Sequence, residues 1–194
     1  ILFEGLNKYS NKGEVIVTDE SKNKTLLGDS RNHFSYPCTF QIGNDNYLLP
    51  EMSSSNVQKI YKIQNAKIKD SFELETFKNV RLIDPTYFFY NEVHYIFGGK
   101  GNTADFRLHL WLCEGSIFKD GFIKHPLSPI VINPFGSRMA GNILMHKNRM
   151  LRFGQNNTLK YGDGIVVHQI NLLNQYDYQE KIIGSMSFEK CGGP

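Results

Sequence analysis

The sequence predicts an all-β protein built as a propeller, on three grounds. Its apolar and aromatic residues come in short runs separated by turn residues, with almost no 3.6-residue periodicity to support helices. Consecutive runs are joined by tight polar turns such as Gly43-Asn44-Asp45, Tyr90-Asn91-Glu92 and His146-Lys147-Asn148, which are hairpin connections. The hairpins also recur at a spacing of about fifty residues, the length of one four-stranded blade.

In chain order the expected strands are 14–18, 35–42, 46–50, 57–63, 82–90, 93–98, 107–113, 139–146, 149–153 and 164–171. Phe34-Ser35-Tyr36-Pro37-Cys38-Thr39-Phe40 followed by Tyr47-Leu48-Leu49-Pro50-Glu51 opens one unit. Ile83-Asp84-Pro85-Thr86-Tyr87-Phe88-Phe89 with Tyr95-Ile96-Phe97-Gly98 echoes it, and so does Ser137-Arg138-Met139-Ala140-Gly141-Asn142-Ile143 with Met150-Leu151-Arg152-Phe153-Gly154-Gln155. Ile1-Leu2-Phe3-Glu4-Gly5 takes the place of Tyr47 to Glu51, so residues 1–30 read as a blade without its first strand. Further units span 31–80, 81–130 and 131–194, and the chain stops at Cys191-Gly192-Gly193-Pro194, where another inner strand is due. All 194 residues therefore read as a single propeller domain, incomplete at both ends, with about four blades present.

Composition narrows the function. With 40% hydrophobic and 13% aromatic residues the chain can bury a real core. The 22 Lys and Arg against 19 Asp and Glu give a net charge of +3, too weak to predict a nucleic-acid partner. No stretch reaches the roughly 20 apolar residues of a membrane span. Cys38, Cys113 and Cys191 lie far apart in an odd number, which favours a reducing, cytoplasmic location. Secretion is the alternative, and only then would the sequons at Asn23 and Asn156 matter. No phosphate-binding loop, H-E-x-x-H site or nucleophile elbow occurs, and Gly98-Gly99-Lys100-Gly101 reads as a loop.

In a propeller the inner strands line a central channel, so the residues that open each unit converge on the axis. These are His33 and Ser35, then Asp84, then Arg138, beside the second-strand ends Glu4, Glu51, Gly98 and Gln155. A carboxylate at the mouth of a buried strand, as Asp84 is here, needs a partner or a function. Arg138 suits a carboxylate or phosphate on a ligand, or else a salt bridge to Asp84 or Glu51. Gln155 and Asn156 suit sugar hydroxyls or turn chemistry. Tyr161 suits stacking on a sugar face or blade packing, and packing is the favoured reading for Tyr36. His33 lacks ligand-spaced partners for a metal and reads as a ligand contact or a strand-entry residue. His125 and Trp111 read as structural.

Ser35-Tyr36-Pro37, Leu49-Pro50-Glu51, Ile83-Asp84-Pro85-Thr86, His125-Pro126, Ser137-Arg138-Met139-Ala140-Gly141, Arg152-Phe153-Gly154-Gln155 and Tyr161-Gly162, in that order, resemble the N-terminal domain family of plant glucosamine inositol phosphorylceramide transferases and its bacterial relatives. That family is similar in fold to the five-bladed propellers of arabinanase and invertase type glycoside hydrolases. The resemblance implies five blades, of which about four are present here, and a carbohydrate or glycolipid ligand in the axial pocket. No cofactor or metal is expected, and the resemblance implies an adjoining glycosyl- or formyltransferase in surface polysaccharide or glycolipid biosynthesis.

Three roles follow as expectations. As an enzyme acting on glycosidic bonds, the domain would use Asp84 as nucleophile, base or modulator and Glu51 as acid, at separations of about 5 Å for retention or about 6.5–9.5 Å for inversion. As a recognition module it would hold the sugar through His33, Ser35, Arg138, Gln155, Asn156 and Tyr161. As a scaffold it would carry a vestigial pocket.

Overall fold

The computed structural model describes residues 2–18, 24–27, 33–52 and 54–188. Four antiparallel sheets make up four blades in a propeller arrangement. β1 (Leu2–Asn7), β2 (Lys12–Thr18) and β3 (Lys24–Leu27) form the first, in sequential order. β4 (Ser35–Ile42), β5 (Asp45–Glu51), β6 (Lys59–Gln64) and β7 (Lys67–Glu73) form the second. In the third, β8 (Leu82–Tyr90), β9 (Val93–Lys100), β10 (Arg107–Cys113) and β11 (Ile123–Lys124) follow in order, and β12 (Val131–Ile132) also pairs with β10. The fourth has β13 (Phe135–Met139), β15 (Arg149–Asn156), β16 (Gly164–Leu173) and β17 (Tyr178–Ser187), with β14 (Leu144–His146) continuing along β15. Cys191 and the sequon at Asn23 lie outside the described residues.

Each central blade buries both faces, which is why its strands read as unbroken apolar runs rather than as alternating ones. Successive side chains point to opposite faces. Along β10, Leu108, Leu110 and Leu112 therefore join Tyr95 and Phe97 against Met139, Met150 and Ile170 of the fourth blade. Trp111 and Cys113 turn the other way, with Tyr87 and Ile96, onto Leu49, Ile60 and Phe77 of the second. Val15 and Leu27 meet Phe34 and Leu48 at the first seam. Trp111 is thus interblade core, edge-on to Phe77 at 5.0 Å. His125 is structural as well: its ring accepts the Leu127 N–H and contacts the Asn174 carbonyl, and it is 1% exposed.

The inner strands β4, β8 and β13 share a bulge near their starts. Ser35 pairs with Glu51 but Cys38 with Leu49, and Ile83 pairs with Gly99 but Thr86 with Phe97. Phe135 pairs with Asn156 but Met139 with Gly154. Each bulge contains a left-handed residue, namely Tyr36 at φ 45°, Asp84 at φ 48° and Gly136 at φ 96°. For Tyr36 and Asp84 that backbone costs about 1–3 kcal/mol each, which marks a position where the chain re-aims a side chain. By register the counterparts of Glu51 are Gly99 and Asn156, each one residue beyond the expected Gly98 and Gln155.

Two further expectations are corrected. Residues 139–146 are not one strand, because the chain leaves the ladder between β13 and β14, where Gly141 takes φ 133° and gives its N–H to the Tyr36 hydroxyl. Residues 98–100 are not a loop but the end of β9, pressed so closely on Ala104 that a Cβ at Gly99 has no room. Gly154 is equally constrained, since its Cβ would run into the Gly136 carbonyl in the β13 bulge. Gly154→Ala is therefore expected to cost about 1–3 kcal/mol in urea unfolding. An unchanged midpoint would show that β13 is free to shift.

Candidate axial site

The bulges deliver a polar cluster to one end of the inner strands. Asp84 is 5% exposed, and its Oδ2 accepts from Arg138 Nε at 2.6 Å and from Gln155 Nε2 at 3.1 Å. Its backbone N–H donates to Glu51 Oε2 at 3.0 Å. The Asp84 carboxyl is pushed up from its ordinary 3.8 to about 7: burial is the main cause, Arg138 opposes it, and the charge and hydrogen bonding of Glu51 add to it.

Arg138 reaches past Asp84, donating from Nη1 to Asp105 Oδ1 at 3.0 Å, and Asn157 Nδ2 donates to the same oxygen at 3.3 Å. The Tyr161 ring lies 5.0 Å from the Arg138 guanidinium carbon and is 70% exposed, so it forms an open aromatic face above the cluster. His33 accepts the Gly13 N–H at Nδ1, which assigns the ring proton to Nε2. That nitrogen lies 2.7 Å from Ser35 Oγ and 3.7 Å from Glu51 Oε1. Glu4 accepts the Tyr36 N–H at 2.9 Å and lines a hollow of about 200 Å³ with Pro37, Ala140 and Asn142.

These contacts join neighbouring blades pair by pair. Glu4 links the first to the second, Glu51 and Asp84 the second to the third, and Asp84 and Arg138 the third to the fourth. The Tyr36 hydroxyl spans three blades, 3.0 Å from Thr86 Oγ1 and 2.7 Å from the Gly141 N–H. Of the expected residues, His33, Ser35, Glu51, Asp84, Arg138, Gln155 and Tyr161 come together. Asn156 reaches the same end, but its carboxamide is taken up within its own loop by Thr158 and Asp163.

Sequence reasoning missed two groups. Asp105 has no motif around it and arrives only because the chain folds back over Gly99. Arg152 is 0% exposed in the fourth blade, with Nε and Nη2 on Glu180 at 2.7 and 2.5 Å and Nη1 on the Gly136 carbonyl at 2.8 Å. Tyr178 and His168 complete the shell of Glu180 at 2.5 and 3.0 Å. The signal was there: in β15, Arg152 has the inward parity of Met150 and Gly154.

The fold is a propeller of the kind seen in GH43 glycoside hydrolases. A GH43 β-1,3-galactosidase superposes on 90% of the chain with a TM-score of 0.64 at 11% identity, the chain covering 39% of that structure. An exo-β-1,3-galactanase from Phanerochaete chrysosporium superposes on 96% with a TM-score of 0.51 at 11% identity, the chain covering 42% of it. Within that class, the chain belongs to the family described as the N-terminal region of glucosamine inositolphosphorylceramide transferase 1, which matches residues 1–191. The transferase of that name from Arabidopsis thaliana is 23% identical over 78% of the chain, and that from Oryza sativa subsp. japonica 22% over 93%. The chain spans 20% and 25% of their respective lengths.

Proposed function

We propose that this propeller recognises a glycan at its axial end without cleaving it, and presents it to transferase chemistry carried elsewhere in a longer protein. The observation that carries the reading is the engagement of the Asp84 carboxyl by Arg138 Nε at 2.6 Å and Gln155 Nε2 at 3.1 Å, which ties up the group a glycosidase would need free. Tyr161 offers the stacking face, and Gln155, Ser35 and His33 the hydrogen-bonding groups. The solved neighbours named as a β-1,3-galactosidase and an exo-β-1,3-galactanase and the relatives named as transferases both support a sugar as ligand. A fifth blade closing the ring belongs to the same proposal.

A second reading, cleavage of a glycosidic bond, has one observation in its favour. The Asp84 carboxyl keeps a proton near neutrality, as a general acid must.

Saturable binding of oligosaccharides and glycolipid headgroups, followed by ligand-observed NMR, tests recognition. Tyr161→Ala and Gln155→Ala are each expected to weaken the retained sugar about tenfold, equivalent to about 1.4 kcal/mol. Affinities unmoved by both variants would place the sugar elsewhere, and retention of no sugar by the full-length protein would remove the reading.

A further inference from the structure

We infer that Arg152, backed by His168, is a positioning residue of the axial site: it fixes the bulge of β13 and so decides where Arg138 meets Asp84. The inference rests on the recognition reading above and deepens it by naming what holds that site in shape.

Each inner strand carries one left-handed bulge residue, and each bulge is gripped through its backbone by a charged side chain. Glu4 Oε2 accepts the Tyr36 N–H at 2.9 Å, and Glu51 Oε2 accepts the Asp84 N–H at 3.0 Å. The third bulge has no such carboxylate, because Gly99 stands in register where Glu51 stands, and Gly136 gives its N–H to the Pro134 carbonyl. Its grip comes from the other side of the peptide: Arg152 Nη1 donates to the Gly136 carbonyl at 2.8 Å.

A grip matters most at this bulge. Phe135 pairs with Asn156 and Met139 with Gly154, so residues 136–138 lie outside the ladder. Glycine also sets no φ of its own, since it adopts either sign at little cost. Three contacts take the place of the ladder. The guanidinium holds the Gly136 carbonyl, and Gly154 lies so close that a Cβ on it would stand 2.0 Å from the same oxygen. His168 closes the remaining side, where a Cβ on Gly136 would stand 2.3 Å from Nε2.

The His168 ring is an independent sign of this role. It is buried, its Nδ1 faces Glu180 Oε1 at 3.0 Å, and its Nε2 has no hydrogen-bond partner among the described residues. A buried polar atom left open calls for a reason. Here the reason is contact: the bare ring edge rests on Gly136, while Glu180 holds both the ring and the guanidinium. No hydrogen bond joins Arg152 or His168 to Asp84, Arg138 or Tyr161 among the described residues, so both act through Gly136. Two residues on, Arg138 Nε reaches Asp84 Oδ2 at 2.6 Å, and a displacement of about 1 Å would break a bond of that length.

The test separates positioning from stability in the full-length protein. Arg152→Met/Glu180→Leu leaves no unpaired charge but removes the grip on Gly136, and Arg152→Lys keeps a cation beside Glu180 without the fork that reaches both partners. Carbon-13 NMR of the Asp84 carboxyl follows a titration that lies at about 7 in the wild type, and urea unfolding follows stability. Both variants are expected to move the Asp84 midpoint up by about one pH unit, a tenfold change in that equilibrium, because a slackened Arg138 favours the carboxylate less. His168→Ala should move it in the same direction. The affinity for the retained sugar is expected to fall about tenfold in parallel. A double variant as stable as the wild type with an unmoved Asp84 midpoint overturns the inference and leaves the cluster as packing alone. So does a shift confined to whichever variant is destabilised. If the wild type retains no sugar but the Asp84 midpoint still moves, the recognition reading falls and the positioning stands.

Discussion

Arg152→Met is expected to cost about 3–5 kcal/mol of folding stability. The side chain is wholly buried, and its removal leaves the Glu180 carboxylate inside the blade with His168 and Tyr178 as its remaining partners among the described residues. Glu180 shows how much the pairing matters. Burial alone would raise its pKa, yet the hydrogen bonds from His168 and Arg152 and their charges bring it down to about 2. The same guanidinium holds the Gly136 carbonyl in the β13 bulge, two residues before Arg138, so blade stability and axial geometry share a support. In urea unfolding the double variant Arg152→Met/Glu180→Leu is expected to recover most of the loss, because it leaves no unpaired charge. A single-variant loss below about 1 kcal/mol would show that water reaches Glu180 and that the network is not closed.

Stability is expected to fall as pH rises from about 4 to about 7 because of Asp84, opposite to the usual behaviour of a paired carboxylate. Its pKa is raised from 3.8 to about 7 on folding, so within that window the native state keeps a proton that the unfolded chain has released. Native stability therefore drops with a slope of up to about 1.4 kcal/mol per pH unit and levels off above the folded value. Glu180 has the reverse sign, its contribution being present above its ordinary 4.5 and lost as pH falls toward 2. Together they place the optimum on the mildly acidic side. Asp84→Asn keeps an acceptor for Arg138 and removes the titration, so its stability should be nearly flat from pH 4.5 to 7 in thermal unfolding. A variant slope equal to that of the wild type would assign the titration to another group.

Much of the blade order was legible, because both apolar runs and hairpin turns are local properties. β4, β8 and β10 have the limits their apolar runs predict. The edge strands β7 and β17 were missed because Lys67–Glu73 and Tyr178–Ser187 are mostly exposed on both faces and carry no alternation. Strand 139–146 failed for another reason: the break at Gly141 is set by the Tyr36 hydroxyl, 105 residues away in sequence. The axial residues were legible through repeat position, which brought Asp84, Glu51 and Arg138 to the same end. How they pair was not, since a one-residue shift at each bulge decides whether a carboxyl meets a guanidinium or open solvent. Asp105 and Arg152 needed the tertiary fold, although the inward parity of Arg152 could have raised the question of a buried partner.

Recognition without cleavage is tested by incubating the full-length protein with whichever sugar it retains best and following the sugar by mass spectrometry. The expected result is a ligand of unchanged mass, bound saturably and released intact, with both the wild type and Asp84→Asn. Shortened or transferred products formed by the wild type and absent with Asp84→Asn would contradict it, and would make Asp84 a catalytic acid held in reserve by Arg138.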